Sequence, residues 1–406
     1  MNVVILSIGD ELLSGHTINT NFSWIGRELS DIGCSIIHQA TVPDSKSSIS
    51  NNLNRLVRMS PDLLITTGGL GPTSDDITRN AIFESLSVTE KFDKKYWNHL
   101  KNKFHQMGTQ ISESNRSQAM VPDSGQVINN PIGSARGFHI EHKEVSVIIL
   151  PGVPAEMKNM IRDYVIPFIN KFEVTKKYTA IVRTTGISES KVFEMTDGIV
   201  RKKSNCKVGY YPSYNGVDIR LKSDDCKLVN NIHSDIINIL DNNYFYSDSD
   251  KSMEQVVVDL AIEKNKKIAI AESCTGGLIG HRITQVAGSS KVFLGGTIVY
   301  SNFLKETILG VDKYTLEKYG AVSKETAEEM AKNILKKTGA DIGLSVTGIA
   351  GPGGGSIEKP VGTVFVGVAD KNNVRVSKRN FKNNRESNKS KASQLALNEL
   401  RMKMFE

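Results

Sequence analysis

Two glycine-rich segments in the C-terminal half of the chain each follow a short apolar run. Ile268–Gly277 reads IAIAESCTGG, and Ile342–Gly355 reads IGLSVTGIAGPGGG. An apolar run of this length that ends in a turn is typical of a buried strand in a parallel sheet. The first segment continues into a helical pattern, which places backbone N–H donors where an anion can bind. These features predict an α/β fold with ligand sites at strand ends.

The chain of 406 residues is long enough for several domains. Over residues 1–171 short apolar strands alternate with helical stretches, which predicts a parallel sheet covered on both faces. Residues 172–247 have the order β-α-β-β-α-β of a small α+β domain, and residues 248–406 return to alternating strands and helices. We therefore predict an α/β protein with two three-layer α/β/α domains joined by a small α+β connector domain.

The composition predicts a cytoplasmic protein. The formal net charge of +7 is spread along the chain, which favours a solvated basic surface over a nucleic-acid interface. Met1–Gly9 begins a strand with no basic leader, and no apolar run is long enough to span a bilayer, so we expect no membrane partner. The four cysteines are scattered and form no disulfide framework or zinc motif.

Arg201–Lys203 is a basic run in the connector domain that could contact RNA. The domain lacks the G-x-x-G segment with which one class of RNA-binding modules clamps its ligand. A spacer or dimerisation role is therefore favoured over RNA binding. We expect a homodimer without a nucleic-acid partner.

The turn at the end of the first glycine-rich segment has two candidate roles. Thr275 is a suitable N-cap for a helix over Gly276–Gln285, and its two glycines let a ligand approach the first N–H groups. Cys274 is a candidate nucleophile, because such a turn favours a thiolate, although a small buried residue in a packed turn is the alternative. The second segment is not a phosphate-binding Walker loop, since no Gly-Lys-Ser/Thr follows it.

A serine, a tyrosine and a lysine lie between the two segments. The segment Ala287–Lys291, with two serines, precedes a strand predicted over Thr297–Tyr300, and Lys305 follows in the first turn of a helix that Ser301 or Asn302 caps. The helix dipole disfavours a cation there, which lowers the pKa of the lysine and helps it to act as a base. A serine near a neutral lysine is a known nucleophile, whereas a capped helix with an exposed lysine is the alternative.

Several blocks of this region resemble the CinA C-terminal domain. They are Ala271–Gly277, Ala287–Ser290, Val299–Asn302 with Lys305, Gly320–Ser323, Gly348–Pro352 and Lys359–Thr363. The resemblance implies a nicotinamide-nucleotide amidase, which converts nicotinamide mononucleotide (NMN) to nicotinic acid mononucleotide and ammonia. It implies no metal or organic cofactor for this domain.

The same resemblance implies roles for individual residues. Ser290 is the expected nucleophile, and Tyr300 and Lys305 are its expected proton-handling partners. Arg385 is a further expected active-site residue, although Asn383-Asn384 replaces the Gly-Asp that precedes this arginine in the family. The expected NMN-binding residues are Ser273, Thr275, Gly276, Gly277, Ser289, Thr347, Gly348 and Gly351.

Acidic and glycine-rich segments follow three consecutive strands of the N-terminal domain. Gly9–Gly15 follows the first strand, Asp44 follows the second, and Thr67–Thr73 follows the third with Asp75 and Asp76 behind it. Glycines suit pyrophosphate oxygens, and carboxylates beside them suit a divalent cation that bridges to phosphate. Alternatively, Asp75 or Asp76 only caps the next helix.

This region resembles the CinA N-terminal domain, which is similar to molybdopterin-binding proteins of the MoaB/MogA type. The matching blocks are Gly9–Leu13, Thr66–Thr73 with Asp75 and Asp76, Pro131–Gly133 and Leu150–Met157. The resemblance implies an ADP-ribose pyrophosphatase that forms AMP and ribose 5-phosphate with a divalent metal (Mg, Mn or Co). The metal-ligand candidates are Asp10, Asp44, Asp75 and Asp76, and the ADP-ribose-binding candidates are Gly9, Asn21, Gly68, Gly69, Gly71 and Thr73.

Together these patterns predict a bifunctional nucleotide hydrolase that recycles by-products of NAD consumption, with NMN and ADP-ribose as its small-molecule partners. One alternative is a molybdenum-cofactor enzyme, which leaves the C-terminal blocks unexplained. The other is a non-catalytic nucleic-acid-binding protein of DNA uptake, which depends on the mild positive charge and the connector domain.

Overall fold

A computed structural model describes residues 1–172, 177–201 and 205–406, so Lys202 and Lys203 of the basic run lie outside the described residues. The chain divides into two compact units, which we call the N-terminal unit (residues 1–177) and the C-terminal unit (residues 178–406). Among the described residues, none of the helices has both the length and the apolar character that crossing a membrane requires.

The N-terminal unit alternates strands and helices as the sequence predicts. Its strands are β1 (Asn2–Ile8), β2 (Ser35–Val42), β3 (Leu63–Thr67), β4 (Glu90–Phe92), β5 (Met120–Pro122), β6 (Gln126–Ile128), β7 (Gly137–His142) and β8 (Val145–Leu150). Its α-helices are α1 (Asp10–Leu13), α2 (Thr20–Asp31), α3 (Lys46–Val57), α4 (Thr78–Ser85), α5 (Lys94–Gln106), α6 (Pro154–Met160) and α7 (Ile166–Ile169). A 3-10 helix covers Glu113–Ala119, and a π-helical turn covers Ile161–Val165.

The main sheet of this unit has the order β2-β1-β3-β8-β7-β6. The first four strands are parallel, and β7 and β6 are antiparallel to their neighbours. One apolar core packs α3 and α4 on one face, and a second packs α2 and α6 on the other. Because β1, β2 and β3 are parallel neighbours, their carboxyl ends meet at one edge of the sheet, where the acidic and glycine-rich segments follow.

The connector domain has the predicted order of elements. They are β9 (Tyr178–Thr184), α8 (Glu189–Val200), β10 (Lys207–Pro212), β11 (Val217–Ser223), α9 (Cys226–Ile239) and β12 (Phe245–Ser247). Its antiparallel sheet has the order β10-β11-β9-β12. Val192 of α8 and Ile232 of α9 are buried with the inward side chains of this sheet, which is the packing expected of amphipathic helices on one sheet face.

The rest of the C-terminal unit is a second α/β domain. Its helices are α10 (Met253–Glu263), α11 (Leu278–Thr284), α12 (Asn302–Leu304), α13 (Lys313–Tyr319), α14 (Lys324–Thr338) and α15 (Arg385–Lys403). Its strands are β13 (Ile268–Glu272), β14 (Phe293–Ile298), β15 (Ile342–Gly348), β16 (Thr363–Ala369) and β17 (Val374–Asn380). A 3-10 helix covers Ser289–Lys291, and a π-helical turn covers Lys305–Leu309.

The sheet of this domain has the order β14-β13-β15-β16-β17. β14, β13 and β15 are parallel to one another. β16 is antiparallel to β15, and β17 is antiparallel to β16. Helices α10, α11 and α15 pack on one face, and α13 and α14 pack on the other. The segments after β13, β14 and β15 therefore share the carboxyl edge of the sheet, so this edge is where a ligand site is expected.

The prediction for β14 was wrong in its bounds. The strand covers Phe293–Ile298 instead of Thr297–Tyr300, and it includes Gly295 and Gly296. Ile268 of β13 aligns with Phe293 in the parallel register. Ser290 therefore lies before the amino end of β14.

Candidate functional site

Lys305 is the centre of the candidate site in the C-terminal unit. Its side chain is only 1% exposed, and Nζ lies 3.0 Å from Ser273 Oγ, 2.9 Å from the Val299 carbonyl and 3.3 Å from the Tyr300 carbonyl. Burial lowers the pKa of Lys305 to about 8. A lysine with this pKa is partly neutral near physiological pH, so it can accept a proton.

The lowered pKa was predicted, but its cause differs from the prediction. Ser301 caps the helix by accepting a hydrogen bond from the Leu304 N–H, as one of the two predicted caps. Lys305 then begins a π-helical turn, and desolvation of its buried ammonium is the dominant effect on its pKa. The structure therefore also excludes the exposed lysine that was the alternative.

The expected pairing of Ser290 with Lys305 is corrected by the structure. Ser290 and Ser289 lie in the 3-10 helix before β14, whereas Lys305 follows the carboxyl end of that strand. Six strand residues span about 20 Å. Ser273, expected only to bind substrate, is the hydroxyl that Lys305 contacts. The physical reason is that the extended strand β14 separates the two residues.

The turn after Ser273 is organised by Glu272, which the sequence analysis did not single out. The carboxylate of this buried residue accepts hydrogen bonds from the N–H groups of Gly277, Ile279 and Gly280 at 2.9–3.1 Å. The first turn of α11 is therefore already bound to an anion of the protein itself. This corrects the expectation that a substrate anion binds at the N–H of Gly277.

Two further expectations for this turn are also corrected. Thr275 is fully buried and is not the N-cap, a position that Gly277 occupies in the left-handed conformation. Cys274 is buried, and desolvation raises the pKa of its thiol to about 12. A thiol with this pKa is almost entirely protonated near pH 8, which argues against Cys274 as the nucleophile.

Arg385 joins three parts of the carboxyl edge. Its Nη2 donates to the Tyr300 hydroxyl at 2.9 Å, and its Nη1 donates to the Gly351 carbonyl at 2.6 Å. The Tyr300 side chain is 58% exposed, so it lies at the open side of the site. The structure therefore brings Tyr300, Lys305 and Arg385 together, as the sequence analysis expected, even though Asn384 replaces the family aspartate and caps α15.

The end of β15 contributes less to the site than expected. Thr347 is buried, and its hydroxyl donates to the Ala321 carbonyl at 2.6 Å, which corrects the expectation that it contacts NMN. Gly348 packs against the backbone of β16, where a Cβ would lie 2.7 Å from the Thr363 carbonyl oxygen. Its lack of a side chain therefore serves strand packing. Gly351 lies beside the site through its bond to Arg385.

A cavity of about 270 Å³ lies at the carboxyl edge of the N-terminal sheet. Predicted residues that line it are Gly9, Asn21, Asp44, Gly68, Gly69, Asp75 and Asp76. Glu11 and Gly152 also line it and were not predicted. Asn21 donates to the Gly152 carbonyl at 2.7 Å, while its Oδ1 is buried without a partner among the described residues. The structure thus gathers most of the N-terminal candidates in one place.

Three N-terminal candidates do not line this cavity. The Asp10 N–H donates to Asp44 Oδ2 at 2.9 Å. The Thr73 N–H donates to Asp76 Oδ2 at 2.9 Å, and its hydroxyl donates to the same oxygen. Gly71 lies against this carboxylate, since a Cβ there would be 2.4 Å from Asp76 Oδ2. Thr73 and Gly71 therefore hold Asp76 in its loop, which corrects their expected contact with ADP-ribose.

Asp44 lines this cavity and has other carboxylates around it. Burial raises the pKa of Asp44, and the hydrogen bond from the Asp10 N–H lowers it by a smaller amount. The neighbouring carboxylates that raise the pKa further are Asp10, Glu11 and Asp75. Within residues 1–172, 177–201 and 205–406, no three His, Cys, Asp or Glu side chains form a metal-binding group. The arrangement fits a cation held by one or two carboxylates together with phosphate oxygens, which is common for Mg²⁺.

Comparison with known proteins shows relatives that match the chain from end to end. A competence-damage inducible protein of Clostridium tetani is 38% identical over 411 residues, which is 100% of both chains. Relatives with the same description in Clostridium acetobutylicum and Caldicellulosiruptor saccharolyticus are 39% and 38% identical, over 95% and 99% of this chain. The chain belongs to the CinA family. Family models match it in three segments, and the CinA C-terminal domain model matches residues 250–404.

The other two models match the remaining parts of this CinA protein. The model described as a probable molybdopterin binding domain matches residues 4–171, and the damage-inducible protein CinA KH domain matches residues 179–245. A solved competence/damage inducible protein from Agrobacterium tumefaciens is 37% identical, covers 38% of this chain and 98% of its own, and has a TM-score of 0.36. A CinA protein from Thermoplasma acidophilum is 31% identical, with 41% and 98% coverage and a TM-score of 0.38.

Proposed function

We propose that the C-terminal α/β domain of this CinA protein is an amidase in which Ser273 is the nucleophile and NMN is the substrate. The observation that carries the proposal is the contact of 3.0 Å between Ser273 Oγ and the buried Nζ of Lys305. An amide is a poor electrophile, so its hydrolysis needs an activated hydroxyl and a stabilised oxyanion. A buried lysine with a lowered pKa beside a serine supports the first requirement.

The hydrogen bonds of Lys305 favour its role as the base. A neutral amine has two N–H groups and one lone pair. The carbonyl groups of Val299 and Tyr300 accept from Nζ, which leaves the lone pair for the Ser273 hydroxyl proton. In the protonated amine, the third N–H points to Ser273 instead. The protonated form has no lone pair and cannot act as a base.

The reaction proceeds in two steps in this proposal. Ser273 Oγ bonds to the carboxamide carbon while its proton passes to Lys305, and the carbonyl oxygen becomes an oxyanion. The C–N bond then breaks, and Lys305 returns the proton to the leaving nitrogen, which departs as ammonia. Water, deprotonated by Lys305, attacks the remaining acyl ester and releases the carboxylate and Ser273. The phosphate of NMN supplies binding energy that holds the carboxamide in place.

The test is ammonia release from NMN by the purified full-length chain. We expect Ser273→Ala to lower kcat/KM by roughly 10⁴-fold, which is the loss expected for a missing nucleophile. Ser290→Ala is the matched control, since it removes a serine at the opposite edge of the sheet, and it should change kcat/KM less than about twofold. An inactive Ser290→Ala variant beside an active Ser273→Ala variant would falsify this assignment.

We further propose that the N-terminal unit cleaves the pyrophosphate of ADP-ribose to AMP and ribose 5-phosphate. The cavity lined by Gly68, Gly69 and Asp44 supports this proposal, because glycine backbone and a carboxylate together suit a pyrophosphate with its cation. Asp44 and Asp75 would hold a divalent cation there, and the cation would neutralise charge on the phosphates. Asn21 fixes the cavity wall through its bonds to Thr67 and Gly152.

This second activity is tested by AMP release from ADP-ribose. We expect Asp44→Asn to lower the rate about 100-fold or more, because the variant keeps the shape of the side chain but removes its charge. Asp62→Asn is a matched control at the opposite end of the sheet, where Asp62 accepts a hydrogen bond from the Asn2 N–H. Equal rates for the Asp44→Asn variant and the unmodified protein would contradict the proposal.

A further inference from the structure

The N–H groups at the start of α11, which were expected to bind a substrate anion, are occupied by the protein itself. The Glu272 carboxylate accepts hydrogen bonds from the N–H groups of Gly277, Ile279 and Gly280. A second anion at this helix end would meet both an occupied set of donors and a like charge. The phosphate of a nucleotide substrate therefore needs a different partner.

Lys389 is a cation on α15 that lies beside the same turn. Its Nζ would be 3.7 Å from a Cβ built on Gly276, and its charge acts on the thiol of Cys274. Lys389 follows Arg385 by four residues, so both side chains leave the same face of the helix. Arg385 contacts Tyr300 and Gly351 on one side of the site, and Lys389 lies toward the turn that carries Ser273.

The cations around the site differ in the donors that they have left for a ligand. Lys305 is surrounded by three protein oxygens. Arg385 uses two of its five N–H donors on protein oxygens, at Nη1 and Nη2. Lys389 is half-buried, and it forms no hydrogen bond or ion pair in the part of the chain that the structure describes. Its three N–H donors are therefore available to an anionic group of a ligand.

We infer that Lys389 binds the phosphate of the nucleotide substrate of the C-terminal site. The inference rests on the proposed amidase function and extends it, since it names the residue that selects a phosphorylated substrate over its nucleoside. The ammonium has three donors for phosphate oxygens. The positive-φ glycine at position 276 leaves the space in front of Nζ free of a side chain.

The experiment compares two substrates that differ only in the phosphate. Ammonia release from NMN and from nicotinamide riboside is measured for the unmodified chain and for Lys389→Met, Lys389→Arg and Lys391→Met. Lys391 is the matched control, because it lies on the same helix and donates to Asn383 at 2.8 Å. A charge-assisted hydrogen bond accounts for about a 10- to 100-fold change in affinity.

We expect Lys389→Met to lower kcat/KM for NMN about 10- to 100-fold, mainly through KM, and to change kcat/KM for nicotinamide riboside less than threefold. Lys389→Arg should restore part of the loss, and Lys391→Met should behave as the unmodified chain. Equal losses on both substrates would overturn the inference, because they would mean a role in folding or in the chemical step.

A binding measurement separates this inference from the amidase proposal. Calorimetric titration of the Ser273→Ala variant with NMN and with nicotinamide riboside measures recognition without turnover. If the unmodified chain releases no ammonia but Lys389→Met in the Ser273→Ala background weakens NMN binding alone, the amidase proposal fails and the phosphate contact stands. If NMN and nicotinamide riboside bind this background equally well, the phosphate contact is wrong whatever the catalytic result.

Discussion

The two candidate sites of this CinA protein lie at the same kind of sheet edge but are built in different ways. In the C-terminal unit, packing holds a buried lysine against a serine, and every polar contact of Lys305 is made by the chain itself. In the N-terminal unit, carboxylates surround Asp44 and raise its pKa, and the buried Asn21 Oδ1 lacks a partner among the described residues. The first site thus holds an amine with a lowered pKa against a hydroxyl, whereas the second gathers carboxylates of like charge.

The largest expected effect comes from removing Lys305, the proposed base of the C-terminal site. Lys305→Met keeps most of the buried volume but removes the amine, so we expect ammonia release from NMN to fall by about 10³-fold or more. AMP release from ADP-ribose should not change, since the second site is in the other unit. Comparable losses of both activities would mean that the substitution acts through folding, and thermal unfolding of the variant is the control.

Removal of divalent cations should affect the two activities in the opposite way, lowering AMP release and leaving ammonia release unchanged. We expect EDTA to lower AMP release about 100-fold or more and to leave ammonia release unchanged, because only the N-terminal site needs a cation beside phosphate. Added Mg²⁺, Mn²⁺ or Co²⁺ should restore the lost activity. AMP release that continues at full rate after exhaustive chelation contradicts the account of the N-terminal site.

The pH dependence of ammonia release sharpens the account of Lys305. The amine accepts a proton only when it is neutral, and its pKa is lowered to about 8. We therefore expect kcat/KM to rise with pH to a plateau above this value, and to be about 100-fold lower at pH 6 than on the plateau. A rate that is flat between pH 6 and pH 9, or that falls as pH rises, would show that the neutral amine is not the base.

Cys274→Ala should have the smallest effect. Because burial raises the pKa of its thiol to about 12, the thiolate is scarce at the working pH. We expect kcat/KM for NMN to change less than about threefold, through small packing losses beside Ser273. Inactivation of the chain by this substitution, with the fold intact by circular dichroism, would return the thiol to consideration as the nucleophile.

The fold was largely predictable because its core strands have simple apolar patterns. Leu63–Thr67 is a fully buried strand with the bounds that its sequence predicts. The connector domain has its predicted order of elements. In contrast, Gly295 and Gly296 have the appearance of a turn but lie within an edge strand, where parallel pairing with β13 overrides their low strand propensity. The predicted strand therefore began at Thr297 instead of Phe293.

The site was less predictable because its contacts depend on the three-dimensional arrangement. Ser273 and Lys305 are 32 residues apart, and only the parallel register of β13 and β14 brings them together. Glu272 ends an apolar strand, and nothing in the surrounding sequence indicates that its carboxylate accepts a hydrogen bond from the Gly277 N–H before α11. Lys389 lies in a lysine-rich segment where no pattern separates it from its neighbours. Arg385 and Tyr300, in contrast, were each expected in the site from the resemblance to the family, and their hydrogen bond is seen only in the structure.

The most direct test of the central claim is to trap the acyl intermediate and locate it. NMN is mixed with the enzyme, the reaction is quenched in acid within milliseconds, and the tryptic peptides are analysed by mass spectrometry. Ser273 lies in the peptide of residues 268–282, and Ser290 lies in the peptide of residues 283–291. The account predicts a nicotinoyl mononucleotide adduct on the first peptide, at Ser273. An adduct on the second peptide, or on Cys274, would contradict it.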